Sequence, residues 1–112
     1  MKTNKVVTFG EIMVRLGAPD YLKLIQSNSL DVSYAGAEAN VAVSLAHYGI
    51  STDYITCLPE NPIAERCVME LRGHRVGVDH IQRSGKRMGI LYLETGSNMR
   101  PSKVFYDREY SS

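Results

Sequence analysis

Ser33-Tyr34-Ala35-Gly36-Ala37-Glu38-Ala39-Asn40-Val41-Ala42 reads as a strand end, a glycine turn and the first turn of an apolar helix. Such a junction leaves backbone N–H groups without helical partners and presents the positive end of the helix dipole. That arrangement receives anionic or hydroxyl-rich ligands. Asn40, one turn into the helix, adds a side-chain amide. The same pattern also describes a purely structural glycine-to-helix junction, so the rest of the chain has to decide between the two.

Downstream, the spacing predicts a helix over Ala37 to Tyr48. Val41, Leu45 and Tyr48 form its apolar stripe, Ala42 and Ala46 widen it, and Gly49 stops it. Asp53 to Leu58 follows as a strand. Asn61 caps a second helix whose first residue is Pro62, with Ile63, Cys67, Val68 and Leu71 as its buried face and Gly73 at its end. Val76 to Ile81 leads back to an extended element. Upstream, Val6 to Phe9 is a short β-branched run ended by Gly10, as in a buried parallel strand. Ile12 to Leu16 continues as an extended piece in which Met13 and Arg15 alternate with Ile12, Val14 and Leu16. Gly17 to Asp20 is turn chemistry, Tyr21 to Asn28 has no clear pattern, and Leu30 to Tyr34 alternates as a half-exposed strand. The order of β and α elements points to an α/β fold with a parallel sheet.

From Met88 the character changes. Met88–Thr95 and Ser102–Arg108 flank the loop Gly96–Pro101 and read as an antiparallel hairpin. Two helices cover little of a parallel sheet, so the 112 residues are expected to be part of a larger unit.

Apolar residues make up 44% and charged residues 22%, and the net charge is +1. This composition fits a folded domain without a global pull toward nucleic acid or membrane surfaces. Cys57 and Cys67 form no CxxC and have no adjacent His pair, which predicts reduced thiols and no zinc site. The run Val6–Phe9 after Lys2 and Lys5 is too short for a signal-peptide core, and no segment has the length of a membrane span. A cytoplasmic protein is expected.

Few residues suggest chemistry. Tyr106 and Arg108 project from one face of the second hairpin strand, and Tyr92 joins them if the register permits. An Arg flanked by tyrosines clamps a carboxylate or phosphate and a sugar ring; the plainer alternative is cross-strand packing beside a solvated Arg. Glu11, Asp31 and Glu38 are the acids nearest the glycine junction, with no pair at catalytic spacing. His47, His74 and His80 are scattered. Arg72, His74 and Arg75, then Arg83, Lys86 and Arg87, form two basic groups read as solvated loop faces. The sequence holds neither GxxxxGK[ST] nor GxGxxG.

Taken in order, four segments resemble the N-terminal part of the ribokinase-like (PfkB) carbohydrate kinases. They are Gly10–Leu16, Ala35–Ala42, Leu71–Asp79 and the Gly89–Thr95 strand, and the chain is most similar to the 2-keto-3-deoxygluconate kinases. The resemblance implies an α/β body carrying a small β lid, with lid strands at about 12–34 and 88–108. The sugar lies between body and lid. It implies that Gly36, Ala37 and Asn40 line the sugar site, with Ala35 replacing the first glycine of the family motif. Tyr92, Tyr106 and Arg108 match the lid tyrosine and Tyr-x-Arg that grip a sugar acid. Leu58 to Ala64 lacks the glycines usual before the second helix, which leaves the subfamily open. The family's ATP site and catalytic base lie in its C-terminal part, so no catalytic residue, ATP contact or Mg2+ ligand falls in this chain. The 112 residues alone are expected to be inactive. The resemblance further implies a homo-oligomer formed through the lid. A fructokinase-type enzyme for a neutral sugar, or a non-catalytic sugar-binding or assembly module, are the alternatives.

Overall fold

A computed structural model describes residues 5–96, 100–109 and 111. Lys2, loop residues Ser97, Asn98 and Met99, and terminal Tyr110 and Ser112 lie outside the described residues.

The first layer is a short parallel sheet. Strand β1 (Val6–Phe9) pairs in parallel with β4 (Thr52–Ile55). The segment read as one strand from Asp53 to Leu58 breaks at Thr56 into β4 and β5 (Cys57–Leu58), and β5 pairs with β6 (Gln82–Arg83). Alternate carbonyls of this segment face opposite neighbours. Ser51 and Ile55 accept from Val6 and Gly10 on one side; Thr52, Thr56 and Leu58 accept from Gly77, Gln82 and Ser84 on the other. The 52–58 segment is therefore the central strand.

Helix α1 (Ala37–His47) packs over β1 and β4. Its buried residues are Ala39, Ala42 and Ala46, whereas Val41 is 49% and Tyr48 81% exposed. The predicted Val41/Tyr48 stripe is thus displaced around the helix, because small side chains let the helix approach the sheet closely. Helix α2 (Pro62–Gly73) is capped by Asn61, whose side chain accepts from the Ala64 N–H at 2.8 Å. It buries Ala64, Cys67, Val68 and Leu71; Ile63, assigned to that face from sequence, is 53% exposed. The core joins these faces to Ile12, Val14, Tyr54, Leu58, Val76 and Met88.

Both helices end in the same pair of backbone bonds. In α1, Gly49 and Ile50 donate to Ala46 and Leu45; in α2, Arg75 and Val76 donate to Arg72 and Leu71. The left-handed residue is Gly49 (φ +81°) in the first case, but Arg75 (φ +67°), not Gly73, in the second. Glycine adopts this conformation without the penalty a side chain incurs. Arg75→Gly is expected to stabilise the protein by about 1 kcal/mol, read as a shift in the urea midpoint. An unchanged or lower midpoint would count against strain at this cap.

The second layer is a four-stranded sheet in the order β3 (Asp31–Ala35), β2 (Met13–Gly17), β7 (Ile90–Glu94), β8 (Lys103–Asp107). β2 pairs antiparallel with β3 and parallel with β7, and β7 pairs antiparallel with β8. A short 3-10 turn, Leu24–Gln26, lies in the segment that had no clear sequence pattern. Two arginines read as solvated are instead paired. Arg83 donates to Pro59 O at 2.9 Å and pairs with Glu65, and Arg87 pairs with Asp107 at 2.9 Å.

Candidate functional site

The site begins where β1 ends. After Phe9 the chain turns at Gly10 and Glu11 into β2, and this bend is held from below by Tyr54. That ring is fully buried, and its hydroxyl donates to Gly10 O at 2.6 Å. Burial, with the nearby Glu38 and Glu11 carboxylates adding to it, pushes the Tyr54 hydroxyl up to about 12. Sequence reading placed Tyr54 only as a strand residue.

Glu11 then joins two structures far apart in sequence. Its backbone carbonyl lies against Gly36, the residue before α1, where an added Cβ would come within 2.7 Å of Glu11 O and 3.2 Å of Ile12 Cα. Only glycine allows the start of α1 to press this closely on the β1–β2 bend. No side chain caps α1, since Gly36 has none. The Glu11 carboxylate meanwhile accepts from Arg108 Nη2, and its other oxygen accepts from Ser111 Oγ at 3.2 Å.

Gly89 makes that meeting possible. A Cβ there would lie 3.0 Å from Glu11 Oε2, 3.2 Å from Met13 Cγ and 3.6 Å from Arg108 Cγ. Arg108 also lies 5.9 Å from the Tyr106 ring centre, within cation–π range. Across the same sheet face Ser33, Arg15, Leu91 and Tyr106 are successive cross-strand neighbours, with Arg15 Nε donating to Ser33 Oγ at 2.8 Å. The roles of Glu11, Gly89 and Arg15 were not read from sequence. The signal available was the alternation of Met13 and Arg15 against Ile12 and Val14.

Tyr92 is the exception. The register sets it opposite Phe105, while Tyr106 opposes Leu91, so Tyr92 lies on the other face of the sheet from Tyr106. There it lines a groove with Leu24, Ile25, Glu94, Lys103 and Phe105. Of the three residues expected to act together from sequence, Tyr106 and Arg108 share a face of the sheet and Tyr92 does not. Asn40 is exposed on α1 and borders a cavity of about 150 Å3 between α1 and α2, shared with Tyr34 and Cys67.

Below the Glu11–Arg108 pair, an open cleft of about 360 Å3 lies at the carboxyl ends of β1 and β4, lined by Gly10, Glu11, Thr56, Cys57 and Gln82. Ligands of open α/β sheets bind in this position. Among the described residues no group of three or more His, Cys, Asp or Glu could hold a metal ion.

The sequence pattern of the pfkB family carbohydrate kinases matches residues 3–112. The chain belongs to that family. It is 41% identical over 108 residues to the 2-dehydro-3-deoxygalactonokinase of Haloferax volcanii, covering 95% of this chain and 33% of that protein. It is 32% identical over 102 residues to the 2-dehydro-3-deoxygluconokinase of Bacillus subtilis, covering 89% of this chain and 32% of that protein. The crystal structure of 2-dehydro-3-deoxygluconokinase from Thermotoga maritima superposes with a TM-score of 0.93 at 51% identity, over 96% of this chain and 33% of that one. The chain thus spans about a third of the length of these relatives. The fold is the α/β ribokinase-like one. No helix among the described residues is long and apolar enough to cross a membrane.

Proposed function

We propose that this chain is the sugar-binding N-terminal part of a longer ribokinase-like domain. The whole protein would transfer the γ-phosphoryl group of ATP to a hydroxyl of a 2-keto-3-deoxy sugar acid. The observation that carries the reading is Arg108, set beside Tyr106 on the lid face and held over the carboxyl end of β1 by Glu11. A guanidinium takes a carboxylate in a bidentate pair, and Tyr106 offers a ring and a hydroxyl to the sugar. Gly36, Ala37 and Asn40 would orient the sugar hydroxyls through the first-turn N–H groups and the amide. The relatives named above, kinases of 2-dehydro-3-deoxy sugars, support the acid as substrate.

A longer domain is supported by Phe9, 74% exposed, and Val7, 55% exposed, on a parallel sheet of the kind normally covered on both faces. The contacts to ATP and Mg2+ would come from outside these 112 residues, which alone should be inactive. The lid edges β3 and β8, with Val32 and Val104 each 44% exposed, would pair with a second copy in a homo-oligomer.

Glu11 already neutralises Arg108, and this favours a second reading in which the ion pair persists and the sugar is neutral, as for a fructokinase. One experiment separates them in the complete enzyme. For a sugar-acid kinase, Arg108→Ala raises KM for 2-keto-3-deoxygluconate about 10- to 100-fold and leaves turnover of fructose unchanged, as expected for a hydrogen bond to a charged group. An unchanged KM for the acid, or phosphorylation of neutral sugars alone, overturns the sugar-acid assignment. Sugar binding without any ATP-dependent phosphorylation would instead mark a non-catalytic module.

A further inference from the structure

His47 and His74, 27 residues apart in sequence, meet in space. Nε2 of His47 lies 3.1 Å from Nδ1 of His74, with ring centres 5.1 Å apart and planes inclined by 46°. We propose that this pair is a binding site for a borderline divalent transition cation, Cu2+ most strongly, then Ni2+ and Zn2+.

The geometry carries the argument. Metal–imidazole bonds are about 2.0–2.1 Å long, so one ion bonded to two nitrogens at the observed separation subtends an N–M–N angle of about 95–100°. That lies between the octahedral and tetrahedral values. The facing nitrogens hydrogen-bond to each other in the free protein; to take the ion, both rings would carry their protons on the outer nitrogens, Nδ1 of His47 and Nε2 of His74.

Position favours a cation as well. His47 is the last residue of α1 and His74 the cap of α2, so the carbonyl ends of two helices converge on the pair. The groove beside it is lined by Ala46, Gly49, Gly73 and Arg75, and a Cβ added at either glycine would meet nothing within 4 Å. Water therefore has room to complete the coordination. Imidazole selects Cu2+, Ni2+ and Zn2+ over Mg2+ and Ca2+, which require oxygen ligands. The charged groups nearby are Glu70, one turn before His74, and the cationic Arg72 and Arg75. Arg75 lines the groove and opposes binding. The pair stands at the end of α1 opposite Gly36, about 16 Å away along the helix.

The complete protein is titrated with Ni2+, and with Mg2+ as control, by calorimetry and by metal-dependent thermal shift. One saturable Ni2+ site is expected. His47→Ala and His74→Ala should each weaken it at least tenfold and remove the thermal shift, whereas His80→Ala keeps both. Arg75→Gly, which retains both imidazoles, should tighten binding severalfold, and it serves if a histidine variant fails to fold. Absence of saturable binding, less than tenfold weakening in folded histidine variants, or weaker binding in Arg75→Gly overturns the site.

Discussion

Gly36→Val should destabilise the protein by more than about 3 kcal/mol, and Gly36→Ala should cost about 1–3 kcal/mol. The neighbours that a Cβ would strike, Glu11 O at 2.7 Å and Ile12 Cα at 3.2 Å, are both backbone, so no side-chain rotation relieves the clash. Strand β2 would have to retreat from the start of α1. Ile12 and Val14 would then shift within the core they share with Ala39 and Ala42, and the Glu11 carboxylate would move away from Arg108. One substitution thereby disturbs core and site together. Two other glycines supply the comparison. An added Cβ at Gly17 or Gly73 meets nothing within 4 Å, so Gly17→Ala should be nearly neutral. Gly73→Ala, in the last turn of α2, should be neutral or stabilising by up to about 1 kcal/mol. Urea midpoints of the four variants test the argument. Equal midpoints for Gly36→Ala and Gly17→Ala would show that close approach at this bend is not what demands glycine.

How far this was legible in the sequence differs by element. Local signals read correctly: Asn61 and Pro62 marked the start of α2, and Gly49 the end of α1. Their information lies within one helical turn. The buried face of α1 was misread because Val41 and Tyr48 outweigh alanines in any hydropathy pattern, although close packing on a sheet selects the alanines. Exposed Val41, Val7 and Phe9 carry the same composition as core residues, and periodicity alone cannot separate the two. The hairpin β7–β8 was legible from alternation and its loop. The parallel pairing of β2 with β7, some 75 residues apart, was not, since nothing local encodes it. The face occupied by Tyr92 followed from a register that one residue of slip would invert. Glu11 was visible as an acid near the glycine junction. Its double contact, backbone to Gly36 and carboxylate to Arg108, exists only once three distant segments converge.

Alkali should unfold this protein earlier than surface titration alone would. Tyr54 is fully buried with its hydroxyl bound to Gly10 O, and Cys67 is 1% exposed in the packed face of α2. Burial pushes the Tyr54 hydroxyl from 10.0 up to about 12, and burial, with the Glu70 carboxylate adding, pushes the Cys67 thiol from 9.0 up to about 12. Both groups are acids whose protonated form the folded state favours, so the unfolded chain loses these protons first. Their stabilising contribution is fully present below pH 9 and falls as pH rises toward 12. Each pKa unit corresponds to about 1.4 kcal/mol, so the two together withdraw several kcal/mol across that window. Tyr34, raised mainly by burial, adds in the same direction. Urea denaturation at pH 8, 10 and 11.5 should show a steep fall in stability, and the Tyr54→Phe, Cys67→Val double variant a shallower one. That variant should start about 1–3 kcal/mol lower at pH 8, because Gly10 O loses its buried donor. A parallel pH profile in both proteins would mean that these two groups do not govern the alkaline limit. Convergence at high pH would tie the limit to these two buried acids, one of which, Tyr54, holds the β1–β2 bend, and hence Glu11, in place.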